Sequence, residues 1–552
     1  MRVAIAQINT TVGDLEGNII KIKRCLTSAK RKQVDLVIFP ELAITGYPPQ
    51  DLLLEKAFVK RNQQLLEKLI AHNTGIAGII GFVNCKGKDK YNAAAVFVGN
   101  RLVGVVHKAL LPTYDVFDED RYFKRAREKE IKPVSVTLGR KKIRLGVEIC
   151  EDLWDKNYDL KVTDLLMQKG AGVIINISAS PFYVGKSFER LTLMIKKARK
   201  NKVPIVYANL VGGQDELVFD GQSLAVDRSG NLIAIGKQFE EDMIIIDLEK
   251  DVLKVKLPPY NRAQEMFGAL VLGIRDYFGK TGFRRAVVGL SGGIDSSLTA
   301  CIVVQALGKE NVIGVSMPSE FSSEHSKTDA QKLAENLRIR LVQFSIQDVV
   351  NAYHKTLDKP LEVIRRSFGI EKEADDAVAD ENLQPRTRGN CLMDISNRLK
   401  ELKILVVNTG NKTEMALGYC TLYGDMAGGV GALGDVNKLD VYALARYVNE
   451  QTKKEIIPED VFTKKPSPEL KPGQFDPFDF NIVSPLVDEI VENQRGKEEL
   501  IKMGYPKLVV EDVYWRIRNA EYKRRQAAPC IKITPKAFGI GRRMPIVNKY
   551  KD

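Results

Sequence analysis

Residues 285–297 read Arg-Ala-Val-Val-Gly-Leu-Ser-Gly-Gly-Ile-Asp-Ser-Ser, and an apolar run from Leu298 to Leu307 follows at helical spacing. The apolar stretch predicts a strand, the glycines a tight turn and the run beyond them a helix. A strand–turn–helix unit of this kind aims backbone N–H groups and a helix N-terminus at one point, which suits phosphate. Ser291, Ser296 and Ser297 add hydroxyl donors, and Asp295 can hold a magnesium ion against the phosphates. No Gly-Lys-Ser/Thr follows the turn, so the loop is not of the Walker type.

Around this loop helices and strands alternate: Gln264–Phe278, Val287–Leu290, Leu298–Leu307, Val312–Ser316, Ser326–Leu337, Leu341–Ser345 and Ile404–Asn408. Alternation predicts a parallel, doubly wound, Rossmann-like sheet over residues 262–552. The last hundred residues are less regular, and the proline-rich stretch Lys464–Asp479 reads as an extended loop. Residues 1–246 differ, with strand after strand: Val3–Ile8, Leu36–Phe39, Ile79–Val83, Ala94–Val98, Leu102–Val106, Ile143–Ile149, Val173–Ile177 and Ile205–Ala208. Helical patterns at Asn18–Lys32 and Phe58–Ala71 lie between them, as in a mixed α/β sandwich. The charged, proline-bearing residues 247–261 form the expected joint.

A chain of 552 residues is too long for one core, so two large domains are expected. Seven scattered cysteines with no Cys-x-x-Cys pair suggest neither a disulfide framework nor zinc, and four histidines weaken any transition-metal reading. No stretch of about 18 apolar residues is present to cross a membrane, and no secretory leader is visible, so a cytoplasmic protein is expected. The formal net charge of +14 favours polyanions. Its Lys and Arg residues are spread along the chain, so nucleotide phosphates account for them without nucleic-acid binding.

Three polar residues of the first half follow apolar strands: Glu41 through Pro40, Lys108 after Leu102–Val106, and Cys150 after Ile143–Ile149. Side chains just past strand ends converge on one rim of a sheet. A cysteine nucleophile needs a base or a positive neighbour; Glu41 could serve as the first and Lys108 as the second.

Phe39-Pro40-Glu41-Leu42, His107-Lys108-Ala109-Leu110-Leu111-Pro112 and Gly146-Val147-Glu148-Ile149-Cys150-Glu151-Asp152-Leu153-Trp154 resemble the three signatures of the nitrilase superfamily. The resemblance implies an α/β/β/α sandwich and amide hydrolysis through a thioester by a Glu41–Lys108–Cys150 triad. It further implies that Glu119 supports the lysine and that Tyr114, Ser180 and Lys186 contact a glutamine substrate. Lys186 stands where some members carry Arg.

The loop at 289–296 resembles the pyrophosphate-binding loop of enzymes that split ATP into AMP and pyrophosphate. With Asn408-Thr409-Gly410-Asn411-Lys412-Thr413-Glu414, Tyr423-Gly424-Asp425-Met426-Ala427-Gly428-Gly429 and Lys523-Arg524-Arg525-Gln526-Ala527-Ala528-Pro529, it makes residues 262–545 similar to the NAD synthetase family. That resemblance implies ATP contacts at Gly289, Leu290, Ser291, Gly292, Gly293, Ile294, Asp295, Ser296, Thr409 and Lys438. It implies Mg2+ at Asp295 and Glu414, deamido-NAD contacts at Arg386, Glu414 and Lys523, and Ser467 near the nucleotide. Pro468 is a departure, standing where Ala is expected. Gly429-x-Gly431-x-x-Gly434 formally matches a dinucleotide fingerprint, but no apolar strand leads into it, so that reading is rejected.

The two resemblances together imply a homo-oligomeric ligase in which glutamine-derived ammonia amidates adenylated deamido-NAD. Free ammonia in neutral water is largely ammonium, without a lone pair, so a sheltered transfer is expected. Two alternatives remain at this stage: another amidotransferase with the same ATP loop, and a tRNA-modifying adenylating enzyme. Residue 2 is Arg and no His belongs to the Cys150 motif, against the first; no RNA-binding module is visible, against the second.

Overall fold

Side chains alternating along β1 (Arg2–Gln7) set the layering of the first half: Val3 and Ile5 join one apolar cluster, Ala4 and Ala6 another. The computed structural model describes residues 1–73, 75–249, 255–256, 259–370 and 376–550. It divides into two units, Met1–Tyr260 and Asn261–Asp552. Residues 250–254 and 257–258 of the expected joint lie outside the described residues.

In the first unit β1 pairs in parallel with β2 (Leu36–Ile38), and β2 with β3 (Ala77–Lys86); β4 (Asp89–Val98) and β5 (Arg101–His107) continue the sheet antiparallel. A second sheet holds β6 (Val134–Leu138), β7 (Lys141–Ile149), β8 (Val173–Ser178) and β9 (Ile205–Asn209), with β7, β8 and β9 parallel. After the hairpin of β10 (Val211–Gln214) and β11 (Leu217–Asp220), β12 (Leu224–Val226) and β13 (Leu232–Ile235) complete it. The chain then returns as β14 (Asp242–Asp247) to pair antiparallel with β1.

Val3, Ile5, Leu36 and Ile38 of the first sheet and Val147, Ile149, Ile175 and Val206 of the second share one buried cluster. Burying each such side chain contributes roughly 1.5–3 kcal/mol. The outer face of the first sheet is covered by α1 (Leu15–Arg31) and α2 (Lys56–Ala71), through Ile22, Leu26 and Leu66; that of the second by α3 (Val162–Gln168) and α4 (Lys186–Asn201), through Leu166 and Met194. The result is an α/β/β/α sandwich.

The second unit is built on a parallel sheet of β15 (Arg285–Gly289), β16 (Val312–Ser316), β17 (Arg340–Gln343), β18 (Ile404–Asn408) and β19 (Val430–Gly431), in the order β17-β16-β15-β18-β19. Strand order reverses at β15, which places a crevice between β15 and β18 at their carboxyl ends, where doubly wound sheets bind ligands. α5 (Arg262–Thr281), α6 (Ile294–Leu307), α7 (Glu324–Leu337), α8 (Gln347–Phe368), α9 (Asp376–Arg398), α10 (Lys412–Leu417) and α11 (Lys438–Thr452) surround it. α6 is buried along Leu298, Ala300, Cys301, Ile302 and Val303, so its helical period is hidden in a nearly continuous apolar run. α9 packs Leu383, Cys391 and Leu392 on Val287, Val315 and Ile404.

The tail is more ordered than its sequence suggests. Helices Phe480–Val491 and Lys507–Asn519 pack Val483, Leu486 and Val487 against Val510, Val513 and Ile517. Residues 464–479 carry neither helix nor strand. Gly431 and Gly434 serve packing: a Cβ on them would meet Cys530 Sγ at 2.7 and 2.1 Å. No helix among the described residues is long and apolar enough to cross a membrane.

Candidate functional site

In the first unit the strands β2, β5 and β7 deliver Glu41, Lys108 and Cys150 to the same buried place. Lys108 Nζ donates to Glu41 Oε1 at 2.7 Å and to Glu119 Oε1 at 2.8 Å. Glu41 also accepts from Asn92 Nδ2 at 2.6 Å and from the backbone N–H of Ala179 at 2.8 Å. Tyr47 Oη donates to Glu119 at 2.9 Å. Asp152 ties the lysine segment to the cysteine turn, accepting from Ala109 and Leu110 N–H at 3.0 and 2.9 Å and from Ile149 N–H at 3.0 Å.

Cys150 opens a 3-10 turn, Cys150–Leu153, with φ of +46°. Such a φ is uncommon away from glycine, and strain of this kind gathers at functional positions. Burial pushes its thiol well above the usual range; Glu41 adds to that rise and Lys108 opposes it. A thiol held neutral must lose its proton to a base during reaction. Burial disfavours the charge on Lys108, but Glu119 and Glu41 outweigh it and hold the ammonium firmly protonated. Burial raises Glu119, while Lys108 opposes that rise.

Tyr114, Ser180 and Lys186 surround this group. Tyr114 Oη donates to Glu151 at 3.1 Å, and Tyr158 Oη reaches the same carboxylate at 3.0 Å. Ser180, just beyond the Ala179 amide, is buried, with its N–H on Asn209 Oδ1 at 3.1 Å. Lys186 begins α4 with Nζ 3.9 Å from the Trp154 ring centre and 4.6 Å from that of Tyr183. Burial lowers its pKa to about 8, while Glu189, Cys150 and Glu151 pull the other way. Sequence reasoning missed Asn92, Tyr47 and Glu151. Asn92 stands at the head of the apolar run Ala93–Val98, where no local signal marks it.

In the second unit the carboxyl ends of β15, β16 and β18 open on a cavity of about 330 Å³. Gly289–Ser296, Thr409, Glu414, Lys438 and Ser467 all line it. Gly292 has φ of +75°, and a Cβ there would lie 2.2 Å from Ser326 O, so the turn accepts only glycine. Gly293 caps α6 with no side-chain cap, so the first-turn N–H groups are available to an anion. Ser296 and Ser297 Oγ donate to Gly293 O at 3.0 and 2.8 Å and brace the turn.

Asp295 Oδ2 accepts from Lys438 Nζ at 2.5 Å, and Glu414 lies 3.6 Å from the same Nζ. Burial, then Asp295's charge, raises Glu414 to about 8. Carboxylate oxygens of this kind are the hard donors that a divalent cation takes. No group of three or more His, Cys, Asp or Glu able to hold a metal occurs among the described residues.

Arg386 and Lys523 do not line the cavity. Arg386 is exposed with Nε on Leu422 O at 3.2 Å, and Lys523 Nζ donates to Gly418 and Cys420 carbonyls at 2.7 Å each. Lys412 is fully buried among Asp435, Asp488 and Glu492 and braces the scaffold.

A carbon-nitrogen hydrolase family model matches residues 2–256, and an NAD synthase model residues 266–527. The chain is 43% identical to a glutamine-dependent NAD(+) synthetase of Thermotoga maritima, covering 100% of this chain and 99% of that one. The chain belongs to the glutamine-dependent NAD(+) synthetases. A Synechocystis synthetase of that name is 41% identical over 99% of both chains. The solved Acinetobacter baumannii synthetase, in complex with ADP, is 35% identical with a TM-score of 0.77, covering 99% of this chain and 98% of that one.

Proposed function

We propose that this synthetase works through two chemistries, glutamine hydrolysis in residues 1–246 and ATP-driven amidation in residues 262–552. At the first site Glu41 takes the Cys150 proton, and the thiolate attacks the glutamine side-chain amide. Lys108 stabilises the developing oxyanion. Ammonia leaves with the proton returned by Glu41, and water then hydrolyses the thioester to glutamate. Tyr114, Ser180 and Lys186 hold the glutamine, with the Lys186 ammonium toward its carboxylate.

At the second site the loop 289–296, Thr409 and Lys438 bind ATP, and the carboxylate of deamido-NAD displaces pyrophosphate to give an adenylate. Oxide is a hopeless leaving group and AMP a good one, so ammonia attacks the adenylate and yields NAD. Asp295 and Glu414 would hold magnesium, which would neutralise charge gathering on the departing pyrophosphate. Glu414, Arg386 and Lys523 contact deamido-NAD. A cytoplasmic homo-oligomer is part of this reading. Tyr353, Leu357, Leu361, Ile364 and Phe368 form an exposed apolar stripe on α8, of the kind buried between subunits.

The observation that carries the reading is the pairing, on one polypeptide, of a buried Glu–Lys–Cys group with a glycine loop at a sheet switch point. The test supplies ATP, magnesium, deamido-NAD and glutamine to the purified protein. NAD, AMP and pyrophosphate in equal amounts support it. ADP in place of AMP, or ATP consumption without an amidated dinucleotide, overturns it.

A further inference from the structure

α9 presents one face to the second cavity: Pro385, Arg388, Gly389 and Leu392, spaced three and four residues apart, all line it. Arg386 is two residues from Arg388, about 200° away around the helix, and is exposed. Of the two arginines in Pro385-Arg386-Thr387-Arg388, the helical phase therefore sends Arg388 to the cavity.

The other buried or half-buried cations lining this cavity are paired: Lys438 with Asp295 and Glu414, Lys464 with Glu469, and Lys327 with Glu324. Arg388 is partly buried, donates Nε to Met317 O at 2.9 Å, and has no carboxylate within ion-pair distance among the described residues. Glu469 is near enough to favour its charge, but already accepts from Lys464, Ser323 and Ser326. Burial lowers the Arg388 pKa to about 10. A sheltered guanidinium keeps its charge at any working pH, so its desolvation goes uncompensated until an anion arrives. Met317 follows β16, whose carboxyl end faces the cavity beside the glycine loop, so the Nε bond fixes the fork on that side.

We propose that Arg388 grips a phosphate of ATP bound in this cavity, beside the 289–296 loop. The assignment rests on reading the cavity as the ATP site. A guanidinium meets phosphate with two parallel N–H bonds, a geometry lysine lacks.

The test uses the full chain with ammonium as nitrogen donor, so glutamine hydrolysis does not enter. Arg388→Met is expected to raise the Kd for MgATP in titration calorimetry roughly tenfold or more, with kcat/KM for ATP falling at least as far. Arg388→Lys is expected to fall between that variant and the wild type. The Tm of unliganded Arg388→Met is expected to hold or rise, while the rise in Tm produced by ATP shrinks. ATP affinity unchanged in Arg388→Met, or weakening confined to deamido-NAD, overturns the proposal. If Arg388→Met does not fold, Arg388→Lys decides, and ATP affinity at the wild-type level overturns it. A wild-type chain that shows no heat of ATP binding overturns the cavity reading as well, and that titration tells the two failures apart.

Discussion

Lys108 Nζ lies 2.7 Å from Glu41 Oε1, with neither side chain open to solvent. The pair exists in a chain segment that also buries Glu119 against the same ammonium. Removing the cation leaves two carboxylates confined together without a compensating charge. Lys108→Met is therefore expected to destabilise the first unit by about 3–5 kcal/mol, read from its unfolding transition in urea. Adding Glu119→Gln removes one of the stranded charges and is expected to recover part of that loss without restoring glutamine hydrolysis. Equal stability of wild type and Lys108→Met would contradict the buried pairing.

Glu41→Gln keeps the shape and the bonds to Asn92 and Lys108 short of one charge, but takes away the base. Glutamine hydrolysis is expected to fall by about 10²–10⁴-fold, with far smaller effect on binding. A release assay for glutamate measures this; hydrolysis within a few-fold of wild type would assign the proton transfer to another group.

Cys150→Ala separates the two chemistries. NAD formation from glutamine is expected to vanish, whereas formation from added ammonium chloride persists at close to the wild-type rate. Loss of both activities in a folded variant would argue against independent sites.

Several of these residues are readable in the sequence because strands announce themselves and active groups follow strand ends. Glu41, Lys108 and Cys150 each stand just past an apolar run, but the first two follow strands of one sheet and Cys150 a strand of the other, so their convergence also needs the two sheets to be stacked. What the sequence conceals is phase and long-range pairing. β14 joins the edge of β1 across more than two hundred residues, with nothing local to specify it. Asn92 and the Ala179 amide reach Glu41 from distant segments, and a backbone N–H leaves no trace in residue type. The motif around Arg386 and Arg388 shows two cations two positions apart, and only the helix of α9, continuing through Pro385, shows that they point to different places. Lys412 illustrates the converse: it sits in a polar motif that suits phosphate, yet three acids enclose it.

Lys186 offers a pH test. Burial sets its folded pKa at about 8 against an ordinary 10.5. Below about 8 folded and unfolded chains both hold the proton and the full cost of the buried charge is present. Between about 8 and 10.5 the unfolded chain binds more protons, so stability rises with pH across that window. Glutamine binding runs the other way, because a neutral amine no longer attracts the substrate carboxylate. The KM for glutamine is expected to climb above pH about 8, and Lys186→Gln to show a high KM that lacks this inflection. Coincident pH profiles for the two proteins would remove Lys186 from the glutamine site.

Gly292 gives the sharpest steric prediction for the second unit. Its φ of +75° strains any side chain, and a Cβ would stand 2.2 Å from Ser326 O, a backbone atom in the first turn of α7. Gly292→Ala must therefore displace either α7 or the loop, and the loop carries the N–H groups aimed at phosphate. ATP-dependent amidation from ammonium is expected to fall by about 10²-fold or more, since misplacing a binding group by about 1 Å has that effect. Glutamine hydrolysis at Cys150 is expected to stay at the wild-type level in the same preparation, which separates a local distortion from general unfolding. Undiminished amidation in Gly292→Ala would mean that the loop tolerates rearrangement and that its backbone does not hold the nucleotide.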